Sequence, residues 1–444
     1  MGLAEVSGFY TNLKKGFDHI GVEAELVTLV PHRFGYGDSH TAIWIKMAQF
    51  AVKGRRASAS AALPLRFFWV LLALVTRVML LTWAIIRFDV FLFCCSTSFF
   101  RFRELRLLKL FGKRIIYNFH GTDGRCAFMD GFAEDIFLPV HMREGTGYIG
   151  PVRDGDSEEV RAAKFAAYAA LTAWRKENIR RIEKYADVLI NSPSHGQHHE
   201  RPFVQRLIIG MPYLPDRELI ARYAAREPSN VVTILHSPSY PEGKGSPGIR
   251  AAIKALIEKG LPINYVEVTG RPNREVLELI GQCDFVIDQL YSDMGMVGFA
   301  TEAAFFGKPA IVGGYYSDLQ AKEIASKWLP PTEFCMPDDI EASIEKLVVD
   351  TDYRRRLGEK AREFVENRWL ADRSAERVAA LARGDFPDEW LFDPHDANYV
   401  LGMGMSKNDV CRVMKGMYEG FGIQAFHLDD KEKLRSHILE YVRE

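Results

Sequence analysis

Lys244 stands between Gly243 and Gly245, in a turn that joins the apolar run Val231-Val-Thr-Ile-Leu-His236 to a helical pattern over Pro247–Glu258. A strand, a Gly/Lys turn and a helix start make an anion site: unbonded backbone N–H groups and the helix dipole attract phosphate, and a lysine adds a full charge. Farther along, Glu302 lies in Gly298-Phe-Ala-Thr-Glu-Ala-Ala-Phe-Phe-Gly-Lys-Pro309, which leads into the strand Ala310-Ile-Val-Gly313. A carboxylate there suits ribose hydroxyls. Between the two lies the strand pattern Asp284-Phe-Val-Ile-Asp-Gln289, which puts Asp288 at a strand end. Taken together, these groups suit a nucleoside diphosphate lying across the carboxyl ends of a parallel sheet. Candidate donor-binding residues are therefore His236, Lys244, Gly245, Asp288, Gly298, Thr301 and Glu302.

A second cluster lies in the first half, in Tyr117-Asn-Phe-His-Gly-Thr-Asp-Gly-Arg125. His120 and Asp123 could hold or take a hydroxyl proton, Gly121 allows close approach to a sugar, and Arg125 offers donors. The bland alternative makes this a strand-end turn in which Asp123 caps a helix and pairs with Arg125. His236 has its own bland reading as a satisfied core histidine.

The ordered set of His236-Ser-Pro-Ser239, Lys244-Gly-Ser246, Asp284–Gln289 and Gly298–Pro309 resembles the donor-binding half of GT-B glycosyltransferases, which use nucleotide-activated sugars. The resemblance implies that Lys244 contacts the diphosphate and supports catalysis, and that Glu302 holds the ribose. It also implies an active-site place for His120 and Asp123. Much of the retaining group carries a further glutamate eight residues before the one matching Glu302; this chain has Met294 there, beside Asp293. An arginine commonly precedes the lysine; here Ser239 and Tyr240 occupy the turn, with Arg271 or Arg274 as substitutes. A retaining, hexosyltransferase-type, metal-independent enzyme is the expectation, with a UDP- or GDP-sugar as substrate and no cofactor. The implied setting is bacterial surface-polysaccharide or glycolipid assembly, with a glycan or lipid-linked acceptor.

At 444 residues the chain is long for one core, so two or three domains are expected. A formal net charge of −1 gives no basic field for nucleic acid. The six cysteines show no Cys-x-x-Cys spacing and read as free thiols of a reducing compartment. None of the Asp or His pairs is read as a metal site. Met1-Gly-Leu-Ala-Glu has neither a basic region nor an apolar core, so a cytoplasmic location is expected.

The alternation of strand and helix patterns predicts an α/β fold of two Rossmann-like parallel-sheet domains facing a central cleft, with a C-terminal helical appendage. The acceptor domain is expected over 1–211, a Pro-marked linker over 212–230, the nucleotide-sugar domain over 231–370, and a crossover helix plus extension over 371–444. Within the first domain a strand is predicted over Ala24–Leu29, and residues 141–158 as a loop facing the site.

Residues 65–87 approach membrane-spanning length but carry Arg77 at their centre. Predicted strands of one sheet flank the segment, which argues against a span. Two readings stay open: a buried or homodimer-contact helix, or a helix lying in the interface of the inner face of the plasma membrane, with Trp69 and Trp83 at headgroup level. The rival to a transferase is a non-catalytic scaffold subunit of the same fold; a nucleotide-sugar epimerase is a weaker third.

Overall fold

The computed structural model describes residues 5–6, 8–29, 42–95, 98–131, 152–223 and 229–443. The first domain opens with α1 (Phe9–His19), α2 (Ile43–Ala57) and α3 (Leu63–Arg87). Then come β1 (Val90–Cys94), α4 (Glu104–Leu110), β2 (Arg114–Asn118), α5 (Glu158–Glu183), β3 (Val188–Asn191), β4 (Phe203–Gln205) and the single turn α6 (Arg206–Ile209). Strands β1 to β4 pair parallel in chain order. They are almost entirely apolar because both faces are covered: Phe91 and Phe93 point to one core cluster, Leu92 and Cys94 to the other.

The second domain begins earlier than the sequence suggests. Helix α7 (Arg217–Tyr223) lies inside the expected linker, yet Leu219 and Ile220 are buried in the second core, and Tyr223 packs on Gly281. There follow β5 (Val232–His236), α8 (Ser246–Glu258), β6 (Ile263–Glu267), α9 (Asn273–Gln282), β7 (Phe285–Ile287) and α10 (Gly298–Phe305). β8 (Ala310–Gly313), α11 (Ser317–Glu323), β9 (Glu333–Cys335), α12 (Ile340–Val349) and α13 (Thr351–Arg368) complete it. All five strands run parallel in the order β6-β5-β7-β8-β9. This is the doubly wound pattern in which ligands bind beyond the carboxyl ends of the strands. Two such domains, with a helix returning from the second to the first, make the GT-B architecture.

The return passes through Trp369, which is fully buried. Its indole N–H donates to the Leu207 carbonyl at 3.2 Å, and a short bridge joins Tyr213 to Leu370. Helix α14 (Ala371–Arg383) then lies on α1, close enough that a Cβ on Gly16 would sit 2.3 Å from the Ala371 carbonyl oxygen. Ser374 and Arg377 donate to the carbonyls of Ile209 and Ile208, which fixes the crossover against the end of the first sheet.

The C-terminal extension is largely helical, as expected, and it also completes the first sheet. β10 (Leu391–Phe392) pairs antiparallel with β4 and becomes the edge of the first sheet. Helices α15 (Lys407–Phe421) and α16 (Glu432–Arg443) put Val413, Met417, Leu434 and Ile438 into the same core as Tyr168 and Leu171 of α5. Short apolar pairs separated by polar residues carry too little periodicity to foretell a strand of this length.

The strand expected over Ala24–Leu29 reduces to a single bridged residue, Leu26. Its neighbours still alternate as a strand would, with Leu26 and Val27 packed into opposite clusters. Most of the loop expected over 141–158 lies outside the described residues.

Gly210 has φ +77°, and a Cβ there would lie 2.1 Å from the Trp369 ring. We expect Gly210→Ala to cost at least about 2 kcal/mol through left-handed strain and overpacking. Urea unfolding followed by tryptophan fluorescence checks this.

Candidate active site

The second-domain site starts at the turn after β5. Gly245 takes φ +70° and lies so close to Leu290 that a Cβ would approach the leucine Cβ to 2.5 Å, so only glycine fits. The turn folds on itself: the amides of Lys244, Gly245 and Ser246 donate to the carbonyls of Tyr240, Glu242 and Pro241. Pro247 has no amide hydrogen, and those of Gly248 and Ile249 bond back to Gly245. The expectation of free amides at the start of α8 therefore fails.

The start of α10 is open instead. The amides of Gly298, Phe299 and Ala300 have no intrahelical acceptor at a helix start, and the space beside the Gly298 Cα is open to 4 Å. Thr301 is buried, and its hydroxyl donates to the Val297 carbonyl at 3.0 Å, so it serves the helix rather than a ligand.

Lys244 reaches across to Asp288, just past β7, at 3.1 Å. This leaves two of the three ammonium hydrogens uncommitted among the described residues. The other Asp288 oxygen, Oδ2, is buried without a hydrogen-bond partner, as are both amide atoms of Gln289. Glu302 is half-buried on α10 and accepts from the Asn273 side chain at 2.8 Å. Burial raises its pKa to about 7; Asp288 adds to the rise and the Asn273 bond opposes it. Lys244, Asp288, Gly298 and Glu302 thus share the carboxyl end of the second sheet.

His236 does not join them. Its Nδ1 meets the Ile287 carbonyl and its Nε2 the Ser246 hydroxyl, both at 2.8 Å, and the residue is fully buried. It ties β7 and α8 to β5, as the core-histidine reading has it. Arg271 and Arg274 pair with Glu275 and Glu278 on the outside of α9 and do not substitute in the turn.

Facing this, the end of β2 carries His120. Arg206, directly after β4, donates to its Nδ1 at 2.5 Å and to the Phe119 carbonyl at 2.7 Å. An acceptor Nδ1 leaves the ring proton on Nε2, 2.7 Å from the Tyr10 hydroxyl. Burial and the Arg206 charge hold His120 well below its ordinary pKa. A ring engaged at both nitrogens is a poor proton acceptor, so the geometry corrects the general-base role for His120. Asp123 differs: Oδ1 accepts from the His120 amide at 2.8 Å, while Oδ2 is buried without a partner. Desolvation raises its pKa, with that amide bond and Arg206 opposing. Gly121, at φ +124°, lies beneath the Arg125 guanidinium, where a Cβ would come within 3.2 Å.

Arg125 is neither paired with Asp123 nor free for a sugar. It is 2% exposed, and Nε donates to Asp293 of the second domain at 2.8 Å. Nη1 donates to Asp130 at 3.1 Å, and Arg175 of α5 meets the same carboxylate at 2.9 Å. His195, after β3, donates from Nε2 to Asp293 at 2.7 Å, which leaves its buried Nδ1 without a partner. The position beside the expected second glutamate thus belongs to an interdomain ion pair. Met403 of the extension touches Arg125, and Gly404 donates to the Tyr291 carbonyl, so the extension closes one side of this contact.

Buried polar atoms without partners thus recur at or just past the strand ends of both sheets: Asn118, Asp123, His195 and Gln205 in the first domain, Asp288 and Gln289 in the second. Such groups are costly unless something bonds them. Residue type gave Arg206, His195 and Tyr10 no signal; that Arg206 and His195 stand just past β4 and β3 is plain only once those strands are placed.

Two metal-like spacings do occur. His195 and His199 lie four apart, and Asp154-Gly-Asp156 and Asp350-Thr-Asp352 have the Asp-x-Asp form. The structure gives them other partners. His199 bonds Glu183 and Asn191, Asp154 pairs with Arg412, Asp156 with Lys164, and Asp350 caps α13. Among the described residues no group of three or more His, Cys, Asp or Glu side chains could hold a metal ion.

No family model matches the chain, and no curated protein matches it. Among solved structures it is similar to sucrose-phosphate synthase from Thermosynechococcus elongatus, at 14% identity over 86% of this chain and 94% of that one, with a TM-score of 0.45. It is also similar to trehalose-6-phosphate synthase OtsA, at 11% identity over 78% and 84%, with a TM-score of 0.43. A third is the S. aureus MnaA–UDP co-structure, at 12% over 87% and 96%, with a TM-score of 0.40.

A carboxyl whose pKa is raised on folding destabilises the native state once it must ionise. Stability from Glu302 is therefore fullest below its unfolded value of 4.5 and is lost as pH rises toward about 7. We expect Glu302→Gln to flatten the decline in melting temperature across that window, read by thermal unfolding of both proteins against pH.

Proposed function

We infer that the chain is a glycosyltransferase that takes a sugar from a nucleotide donor and passes it to a glycan or lipid-linked acceptor. The observation that carries this reading is the grouping of Lys244, Asp288 and Glu302 past the strands of the second sheet, with Arg125 and His195 on Asp293 bringing the strand ends of the first domain, and the unpartnered Asp123 Oδ2, against it. A donor diphosphate fits the open start of α10 and the uncommitted hydrogens of Lys244, and the ribose hydroxyls fit Glu302. Asp123 Oδ2, from the opposite domain, then accepts from the acceptor hydroxyl and orients it. In the retaining course implied by the sequence resemblance, the departing diphosphate takes the acceptor proton, and Lys244 stabilises its growing charge. This chemistry needs neither a metal nor a cofactor.

We further infer a cytoplasmic enzyme at the inner face of the plasma membrane, in surface-polysaccharide or glycolipid assembly. What supports the location is the outer face of α2 and α3. From Ile43 to Arg87 the chain has no acidic residue and seven basic ones. Helix α3 is long and apolar enough to span a membrane, yet Leu80, Leu81 and Ala84 are buried in the first core. It is therefore held along the domain, with its other faces outward, as an interfacial helix would be.

A melting-shift panel of UDP-, GDP-, CMP- and dTDP-sugars tests the donor. A ligand at a hundred times its dissociation constant adds about 2.7 kcal/mol of stability. We expect a shift with one nucleotide, abolished by Lys244→Ala, and a donor affinity lowered by about 1–3 kcal/mol in Glu302→Ala. No shift with any of them points to the scaffold reading.

A further inference from the structure

A groove of about 640 Å³ runs along the flank of α3, lined on one side by Arg77, Val78 and Ile85 and on the other by Arg101, Arg103 and Leu107. We propose that this groove seats the phosphate of an anionic phospholipid while the apolar faces of α3 and α4 enter the leaflet around it. The proposal rests on the membrane reading of α2 and α3, and not on the transferase reading.

The charges in the groove are unbalanced. No acidic partner of Arg101 or Arg103 is found among the described residues, in contrast to Arg87, Lys109 and Lys113, which pair with Glu23, Asp187 and Asp89. Glu104 is the only acidic side chain among the described lining residues, and its two oxygens accept from the Phe99 and Phe100 amides. Arg77 donates to the Phe99 carbonyl at 3.3 Å, but its Nε is buried with no partner. Burial and the nearby charge of Arg55 hold its pKa below the ordinary value against the pull of Glu104. Three guanidinium forks around one groove match the oxygens of a phosphate.

The loop is held to present them. Arg101 and Phe102 are consecutive non-glycine residues at φ 52° and 66°, a costly arrangement. Phe102 anchors it, packed edge-on against Tyr117 with its amide on the Ser98 hydroxyl. Arg101 and Arg103 flank this anchor and are exposed.

The surroundings select a lipid over a soluble anion. On the α3 side Phe67 is 69% and Ile86 80% exposed; on the α4 side Leu110 is 74% exposed and Phe111 lies beside it. Apolar surface on both banks of a cationic groove matches acyl chains beneath a phosphate plane. A protein partner, a second copy included, would have to bring acidic groups of its own, because Glu104, the acidic side chain among the described lining residues, is taken up by backbone amides.

Co-sedimentation of the full chain with phosphatidylcholine vesicles, with and without phosphatidylglycerol, tests this beside Arg101→Lys/Arg103→Lys. The double variant keeps the charge and loses the forks. We expect binding only to the phosphatidylglycerol vesicles, weakened about tenfold in the variant. Equal binding of both proteins would mean diffuse charge attraction and would overturn the groove. A melting shift with inorganic phosphate, lost in the variant, without vesicle binding would make it a soluble-anion site. No binding to any vesicle, with a dimer in sedimentation that Phe67→Asp dissociates, would give the face to a second copy. The nucleotide-sugar melting shift read on the same samples is independent of all these outcomes, so loss of the lipid site leaves the transferase reading intact.

Discussion

The Arg125 guanidinium is removed from water, and how the two domains meet depends on that. A buried cation must find carboxylates, and its partners come from two places: Asp130 in its own domain and Asp293 in the other. Asp293 is held well below the ordinary carboxylate range by Arg125 and His195, against a desolvation that pushes the other way. Either group left alone would be strongly destabilising, whereas together they fix one orientation. The facing strand ends, and with them Asp123 and Lys244, take their separation from this contact.

Two of the ties around the ion pair hold the backbone of the described residues. One tie is the crossover at Trp369, where Gly210 admits the indole against the end of the first sheet. The other is the run from Tyr399 to Gly404, which bonds to Met129 and Gly131 of the first domain and to Tyr291 of the second. The Tyr316 and Tyr399 rings meet 5.0 Å apart on the same seam. A cleft bounded by two ties and an ion pair can be lined by polar groups that the domains leave unbonded.

Much of this was legible in the sequence. Apolar runs bounded by Gly and Pro gave β5, β7 and β8, and the Gly307-Lys-Pro309 turn placed Glu302 on a helix leading into a strand. What periodicity could not give was partnership. Lys244 and Asp288 are recognisable singly, but their pairing follows from the β5–β7 neighbourhood, which no local pattern encodes. The amides at the start of α8 looked available because a helix start usually leaves them so; the turn's own carbonyls consumed them. Arg125 looked like a ligand-binding group because its counter-ion lies 168 residues away. The extension looked separate because β10 has only two residues, and its partner strand lies far upstream in the chain.

The pairing of β10 with β4 has a consequence for biosynthesis. The first domain draws on both ends of the chain, whereas α7 to α13 form one uninterrupted stretch. On a ribosome, which releases the chain from its N-terminus, the second sheet can close as soon as its own residues emerge. The first must wait with the edge of β4 uncovered until Leu391 and Phe392 arrive. The domain begun first is completed last, and during that interval an apolar strand edge is open to any neighbouring chain.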